Sequence, residues 1–121
     1  MTLSEATFGG STVVTASGRI DMSNADAFTA ALLTAVSKAK TAVAVDMSGV
    51  DYISSAGLRS LTIALRSAKA EKRAFAIAAL TPLVLEIFTI SRFNLVFSIY
   101  PGVREALAAV SPDELNSFDA S

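Results

Sequence analysis

The sequence predicts an α/β fold: a mixed, mostly parallel sheet of roughly four or five strands, opened by an antiparallel hairpin and covered by about four helices. Two observations carry that prediction. Short runs rich in β-branched and apolar residues alternate with longer runs whose apolar residues recur every three or four positions, the period switching at Asn24, Ser55, Pro82 and Val103. The 121 residues, with 52% hydrophobic content, also suit one domain. A chain of that size buries roughly two thirds of its unfolded surface, enough for a core without disulfides. Strands joined through helices pair in parallel with right-handed crossovers.

Phe8-Gly9-Gly10-Ser11 reads as a tight turn between extended runs at Leu3 to Phe8 and Thr12 to Ala16. Gly18 marks a bend before Arg19-Ile20-Asp21. From Asn24 the spacing of Ala25, Phe28, Leu32, Ala35 and Val36 predicts a helix, with Asp21, Ser23 and Asn24 as candidate caps. Thr41 to Val45 is a short apolar run ending at Asp46, bounded after Ser48 by Gly49, and suits a strand covered on both faces. A second helix runs from about Ser55 to Lys69, with Leu58, Leu61, Leu65 and Ala68 inward and Arg59, Arg66 and Lys69 outward. Arg73 to Ala79 is the next strand. Pro82 suits the first turn of a third helix. Leu95 to Tyr100 is the last strand, ended by Pro101-Gly102, and Val103, Ala106, Leu107 and Val110 mark a final helix closed by Ser111-Pro112. The domain is read as residues 1–112, and residues 113–121 as a C-terminal tail, polar apart from Leu115 and Phe118.

In the third helix, Leu83, Val84, Leu85, Ile87, Phe88 and Ile90 do not fit on one helical face. Either the last strand and tail cover two sides of it, or one side serves a partner or self-association.

Ten basic and eleven acidic residues give a formal net charge of −1, without a basic stripe, so nucleic acid is not an expected partner. Cysteine and histidine are absent. That removes disulfides, thiolate chemistry, imidazole triads and most transition-metal sites, and no metal or other cofactor is expected. Met1 to Gly10 lacks the basic and apolar regions of a signal peptide. The longest apolar stretch, about Leu80 to Tyr100, is interrupted by Glu86, Arg92 and Asn94, so direct membrane insertion is not expected either. The expectation is a cytoplasmic protein that is not an enzyme.

The most informative stretch runs from Val45 to Leu58, with Asp46-Met47-Ser48 early and Ser54-Ser55-Ala56-Gly57-Leu58 late. In physical terms an apolar strand ends in an acid, a short loop follows, and two serines open an amphipathic helix. Ser54 or Ser55 is an N-cap in the plainest reading. Gly57 sits where a side chain would crowd a neighbouring strand or loop. Asp46 either accepts backbone N–H bonds, as in an Asx turn, or contacts a partner. Asp21 and Asn24 are caps or contact residues.

This stretch resembles the signature of STAS domains, the family named for sulfate transporters and anti-sigma factor antagonists. Its pattern is an apolar strand, Asp-x-Ser, a short loop, and Asp/Ser-Ser-Ser/Ala-Gly-Leu at a helix start. Gly18-Arg19-Ile20-Asp21 is similar to the family's Gly-x-Leu/Ile-Asp, and Thr81-Pro82 through Phe97 to its third helix and last strand. The resemblance implies the STAS fold and partner switching. An unmodified antagonist binds an anti-sigma factor that is also a serine kinase of the GHKL type, and a sigma factor is freed. Phosphorylation of the serine two residues before the glycine, here Ser55, ends the complex, and a PP2C-type phosphatase restores it. Many phosphorylated members carry Asp before the acceptor where this chain has Ser54, so Ser54 is the alternative acceptor. The implied partner-binding set is Asp21, Asn24, Asp46, Ser54, Ser55, Gly57 and Arg59. Arg59, four residues after Ser55, pairs with the phosphate or a partner carboxylate, or is a solvated helix-face arginine.

Two other readings compete. One is a cytoplasmic STAS subunit of a membrane lipid-transport complex, binding an ATPase subunit without phosphorylation. The other is a hydrolase using Ser55, which the lack of histidine disfavours, as does the absence of a lysine three residues after Ser54 or Ser55.

Overall fold

A computed structural model, which describes residues 1–120, shows how these patterns pack. The Gly9-Gly10 pair turns the chain back, so β1 (Thr2–Phe8) and β2 (Ser11–Ile20) pair antiparallel, from Thr2 opposite Ser17 to Phe8 opposite Ser11. Helix α1 (Ala25–Lys38) then returns the chain to β3 (Ala42–Ile53), which lies parallel to β2. Helix α2 (Ser55–Ala70) leads to β4 (Ala74–Ala78), and α3 (Pro82–Ile90) to β5 (Ser98–Tyr100), both strands again parallel to their neighbours. The sheet order is β1-β2-β3-β4-β5. Helices α4 (Val103–Val110) and α5 (Leu115–Asp119) complete the fold. The mixed, mostly parallel sheet with an opening hairpin is the one the periodicity predicts.

Each face of the sheet has its own core. On one, Phe28, Leu32 and Val36 of α1, Leu58 and Leu61 of α2, and Val84 and Phe88 of α3 close over Val14, Val43, Val45 and Ile77. Full burial of such side chains contributes about 1.5–3 kcal/mol each before the entropy of ordering them is counted. On the other face the sheet presents Val13, Ala44, Ala76 and Ala78, small enough for Ala106 and Leu107 of α4 to lie close against them.

Strand β3 does not end at Asp46. It runs on through Ser48, Gly49 and Asp51 to Ile53, the segment expected to be a loop. Its register against β2 slips twice, between Thr15 and Ser17 and between Gly18 and Arg19, each time by one extra residue on β3. These bulges space the buried Met47, Val50 and Ile53 three apart rather than two, which hides the strand from a search for alternation. Gly49 makes the first slip feasible, since a Cβ there would lie 2.7 Å from Ser17 Cβ.

The last strand is shorter than expected. Phe93–Leu95 form a 3₁₀ turn, entered through Arg92 at φ 62°, and only Ser98–Tyr100 pair with β4. The reason is aromatic packing. Phe97 points inward against Phe75, Phe88 and Phe93 at centroid distances of 6.4, 6.0 and 6.0 Å, and this pulls the preceding residues out of the sheet line.

Beyond Pro112 the segment read as a polar tail forms a 3₁₀ turn, Pro112–Glu114, and then α5. Phe118 meets Phe8 edge-on at 5.2 Å, and Thr41 Oγ1 donates to Glu114 Oε1 at 3.0 Å. Neither the tail nor β5 covers the outer side of α3, where Leu83, Leu85 and Ile90 stay exposed while Val84 and Phe88 are buried.

Candidate functional site

The two serines at the start of α2 do different things. Ser54 is the N-cap residue: its backbone is extended (φ −86°, ψ 173°) and its Oγ accepts from the Gly57 N–H at 3.4 Å. Its own N–H donates to Ile20 O at 2.9 Å, tying the helix start to the end of β2. Ser55 is the first helical residue and is exposed. Gly57 is buried, and a Cβ there would come within 2.6 Å of Ile53 Cγ1 and 2.8 Å of Ile20 Cγ2. Only glycine lets the first turn of α2 settle onto both strand ends. The long cap bond sets a modest expectation: Ser54→Ala lowers stability by about 0.5–1 kcal/mol, read as the shift in urea midpoint. A loss above about 2 kcal/mol would show that Ser54 does more than cap.

The β2–α1 loop forms the other side. Asp21 Oδ1 accepts from both the amide and the hydroxyl of Ser23, and Oδ2 accepts from Arg19 Nε at 3.2 Å. Arg19 also lies 4.1 Å from the Tyr52 ring centroid, an additional cation–π contact. Asn24 holds the helix-cap position, but its side chain turns back to the loop. Its Oδ1 accepts from the Asp21 N–H at 3.0 Å and its Nδ2 donates to Arg19 O at 2.9 Å.

The Ser23 hydroxyl and amide, with a smaller contribution from Arg19, hold the Asp21 carboxyl below the usual carboxylate range. Because the folded value is the lower one, the ionised loop contributes its full stabilisation above the ordinary carboxylate pKa, and loses it as pH falls through the depressed folded value. NMR titration is expected to show the Ser23 amide moving with a midpoint below about 3.9, and no such step in Asp21→Asn. A midpoint at or above that value would contradict the loop geometry.

Between α1 and α2 runs an open groove of about 730 Å³, lined by Met22, Asp26, Thr29, Ser55, Arg59 and Ile63 among others. Its floor is set by polar contacts between the helices. Thr29 Oγ1 donates to Ser60 Oγ at 2.7 Å, and Ser60 Oγ donates to Ala25 O at 3.1 Å. The structure therefore joins Asp21, Asn24, Ser54, Ser55 and Gly57 around the strand ends, and sets Arg59 beside Ser55 in the groove. Asp46 is separate. It sits well back along β3, between Thr15 and Ala78, with Oδ1 accepting from the Ser48 N–H at 3.0 Å. That is the Asx-type contact, made at the first bulge.

Sequence reasoning missed Met22, which is 85% exposed at the lip of the groove, and Asp26 and Thr29 on α1. A bare methionine between Asp21 and Ser23 was the available signal. Among the described residues no group of acidic, histidine or cysteine side chains is arranged to hold a metal, and no helix is long and apolar enough to cross a membrane.

A hairpin-opened parallel sheet with a serine exposed at the start of its second helix is the architecture of a STAS domain. A family model described as "Mlab, STAS domain" matches residues 4–98. BtrV of Bordetella bronchiseptica, which carries the name of an anti-sigma factor antagonist, is 35% identical over 92 residues, covering 76% of this chain and 78% of BtrV. The crystal structure of an anti-sigma factor antagonist from Mycobacterium paratuberculosis superposes with TM-score 0.78 at 29% identity, covering 90% of this chain and 92% of that one. Unphosphorylated SpoIIAA, another anti-sigma factor antagonist, shares the fold with TM-score 0.78 at 17% identity, over 92% of this chain and 97% of its own. The phosphorylated form of the Bacillus SpoIIAA gives TM-score 0.69 at 15% identity, over 90% and 99%. The chain belongs to the STAS-domain family, among its anti-sigma factor antagonists.

Proposed function

We propose that the protein works in the cytoplasm as a partner-switching anti-sigma factor antagonist with Ser55 as its phosphorylated residue. Unmodified, it binds an anti-sigma factor that is also a serine kinase of the GHKL type, and a sigma factor is released to transcription. The kinase then transfers the γ-phosphoryl group of ATP. The Ser55 Oγ–phosphorus bond forms, the bond from that phosphorus to the β–γ bridging oxygen breaks, the hydroxyl loses its proton, and ADP leaves. A PP2C-type phosphatase uses water to return the serine and inorganic phosphate. The protein is the substrate of this cycle and not its catalyst.

The observation that carries the proposal is the division of labour at the start of α2. Ser54 spends its oxygen on the cap while Ser55 stands exposed one residue later. In this reading Asp21, Asn24, Ser54 and Arg59 surround Ser55 in the contact surface, the buried Gly57 seats the helix start beneath it, and Asp46 acts from behind by shaping the β3 bulge. BtrV, a relative by sequence, and SpoIIAA, which shares the fold, both carry the name of anti-sigma factor antagonists.

Incubation with a cognate kinase and ATP, followed by mass spectrometry, is expected to find one phosphate on Ser55 and none on the Ser55→Ala variant. Modification confined to Ser54, or none by a kinase shown to bind, rejects the assignment. The transport-subunit reading predicts instead tight binding to an ATPase subunit that Ser55 substitutions leave unchanged.

A further inference from the structure

We propose that Arg59 is the counter-ion of the Ser55 phosphate, so that modification closes an ion pair within this chain, across the first turn of α2. The proposal rests on Ser55 being the acceptor. Residues four apart on a helix differ by about 40° in direction and about 6 Å in height, which places their side chains one above the other. Ser55 and Arg59 stand at that spacing, both are exposed, and both line the groove between α1 and α2. Ser54 is five residues from Arg59 and about 140° away around the axis, so a phosphate there lies on another face.

Arg59 is uncommitted. Among the described residues the ion pairs join Arg19 to Asp21, Lys38 to Glu5 and Arg104 to Asp119, and Arg59 enters none of them. Asp26 of α1 is the other charged side chain lining the groove, and it lies outside salt-bridge distance of Arg59. A phosphate carries about −1.5 to −2 charge near neutral pH and offers several acceptor oxygens, so it competes well against a single carboxylate. The planar guanidinium suits it, since two N–H groups reach two phosphate oxygens together.

The test installs phosphoserine at position 55 by genetic code expansion, which needs no kinase. Phosphorus NMR then follows the second ionisation of the phosphate in otherwise wild-type, Arg59→Gln, Arg59→Lys and Arg66→Gln chains. Loss of the arginine in Arg59→Gln is expected to raise the midpoint by roughly 0.2 to 0.7 of a pH unit, the equivalent of an exposed ion pair. Arg59→Lys recovers part of that difference, Arg66→Gln leaves the midpoint unchanged, and about 1 M salt abolishes the effect. Equal midpoints with and without Arg59, or an equal rise in Arg66→Gln, overturn the proposal. If no kinase modifies Ser55, the partner-switching reading fails on its own test while this measurement still decides the pairing.

Discussion

Ser55→Glu is expected to weaken binding to the cognate anti-sigma kinase by about a hundredfold, and Ser55→Ala to bind as wild type does. The serine hydroxyl is small and neutral, and sits at the first helical position beside a groove that a partner can reach. A carboxylate there must lose water when the partner closes. The helix N-terminus offsets only about 0.3–1 kcal/mol of that cost at an exposed position. Even with Arg59 one turn away, shutting an anion into an interface costs several kcal/mol of lost hydration that pairing need not repay, and a net loss of ~2.7 kcal/mol already corresponds to a hundredfold in affinity. The variant should remain folded, because acidic residues are welcome in a first turn and α2 has none. A carboxylate carries less charge than phosphate, so the phosphorylated protein should bind more weakly still. Titration calorimetry against the purified kinase measures the effect, with circular dichroism as the folding control. Wild-type affinity in both folded Ser55→Glu and the phosphorylated protein would reduce Ser55 to a helix-start residue and reject the switch.

Gly57→Val is expected to destabilise the domain by about 1–3 kcal/mol and to disorder the Ser54–Ser55 start of α2. The added Cβ meets Ile53 Cγ1 at 2.6 Å and Ile20 Cγ2 at 2.8 Å. Both isoleucines are fully buried at the strand ends, at most 1% exposed, so neither has room to retreat. Helix propensity runs the other way, since glycine is worse than most residues inside a helix by up to about 1 kcal/mol. Overpacking has to exceed that gain. The clash also works against the Ser54 N–H to Ile20 O bond, which anchors the helix start to β2. Urea unfolding reads the stability, and the Ser54 and Ser55 amide resonances read the local effect. An unchanged midpoint would mean that the strand ends yield more easily than their burial implies.

Much of this fold is visible as periodicity. Helix α2 shows its buried stripe in Leu58, Leu61 and Leu65, and starts where Ser54-Ser55 says it should. The part of β3 between Met47 and Ile53 was not visible, because two bulges replace alternation with a spacing of three. Leu95 and Val96 have strand-like chemistry but are exposed, since Phe97 finds its place among three other phenylalanines. Leu115 and Phe118 read as isolated apolar residues in a polar tail until the second face of the sheet supplies neighbours for them.

The sequence by itself determined the helix and strand order as far as α4, the hairpin at Gly9-Gly10, the lack of cysteine and histidine chemistry, and the pair of serines at a helix start. These follow from local rules: periodicity, turn chemistry, and the reactions a side chain can or cannot support. Which serine caps and which stands free was decided only in the tertiary structure. So were the separation of Asp46 from the groove, the turning of Asn24 away from its helix, and the placing of Met22, Asp26 and Arg59 along one groove. The groove and the anchoring of the α2 start to Ile20 depend on where β2 and α1 place atoms from distant parts of the chain, whereas the bonds of Ser54, Asn24 and Asp46 join residues two to five apart, among local geometries that packing selects between. The long-range contacts are set by packing across the core, and no short window along the sequence contains both of their partners.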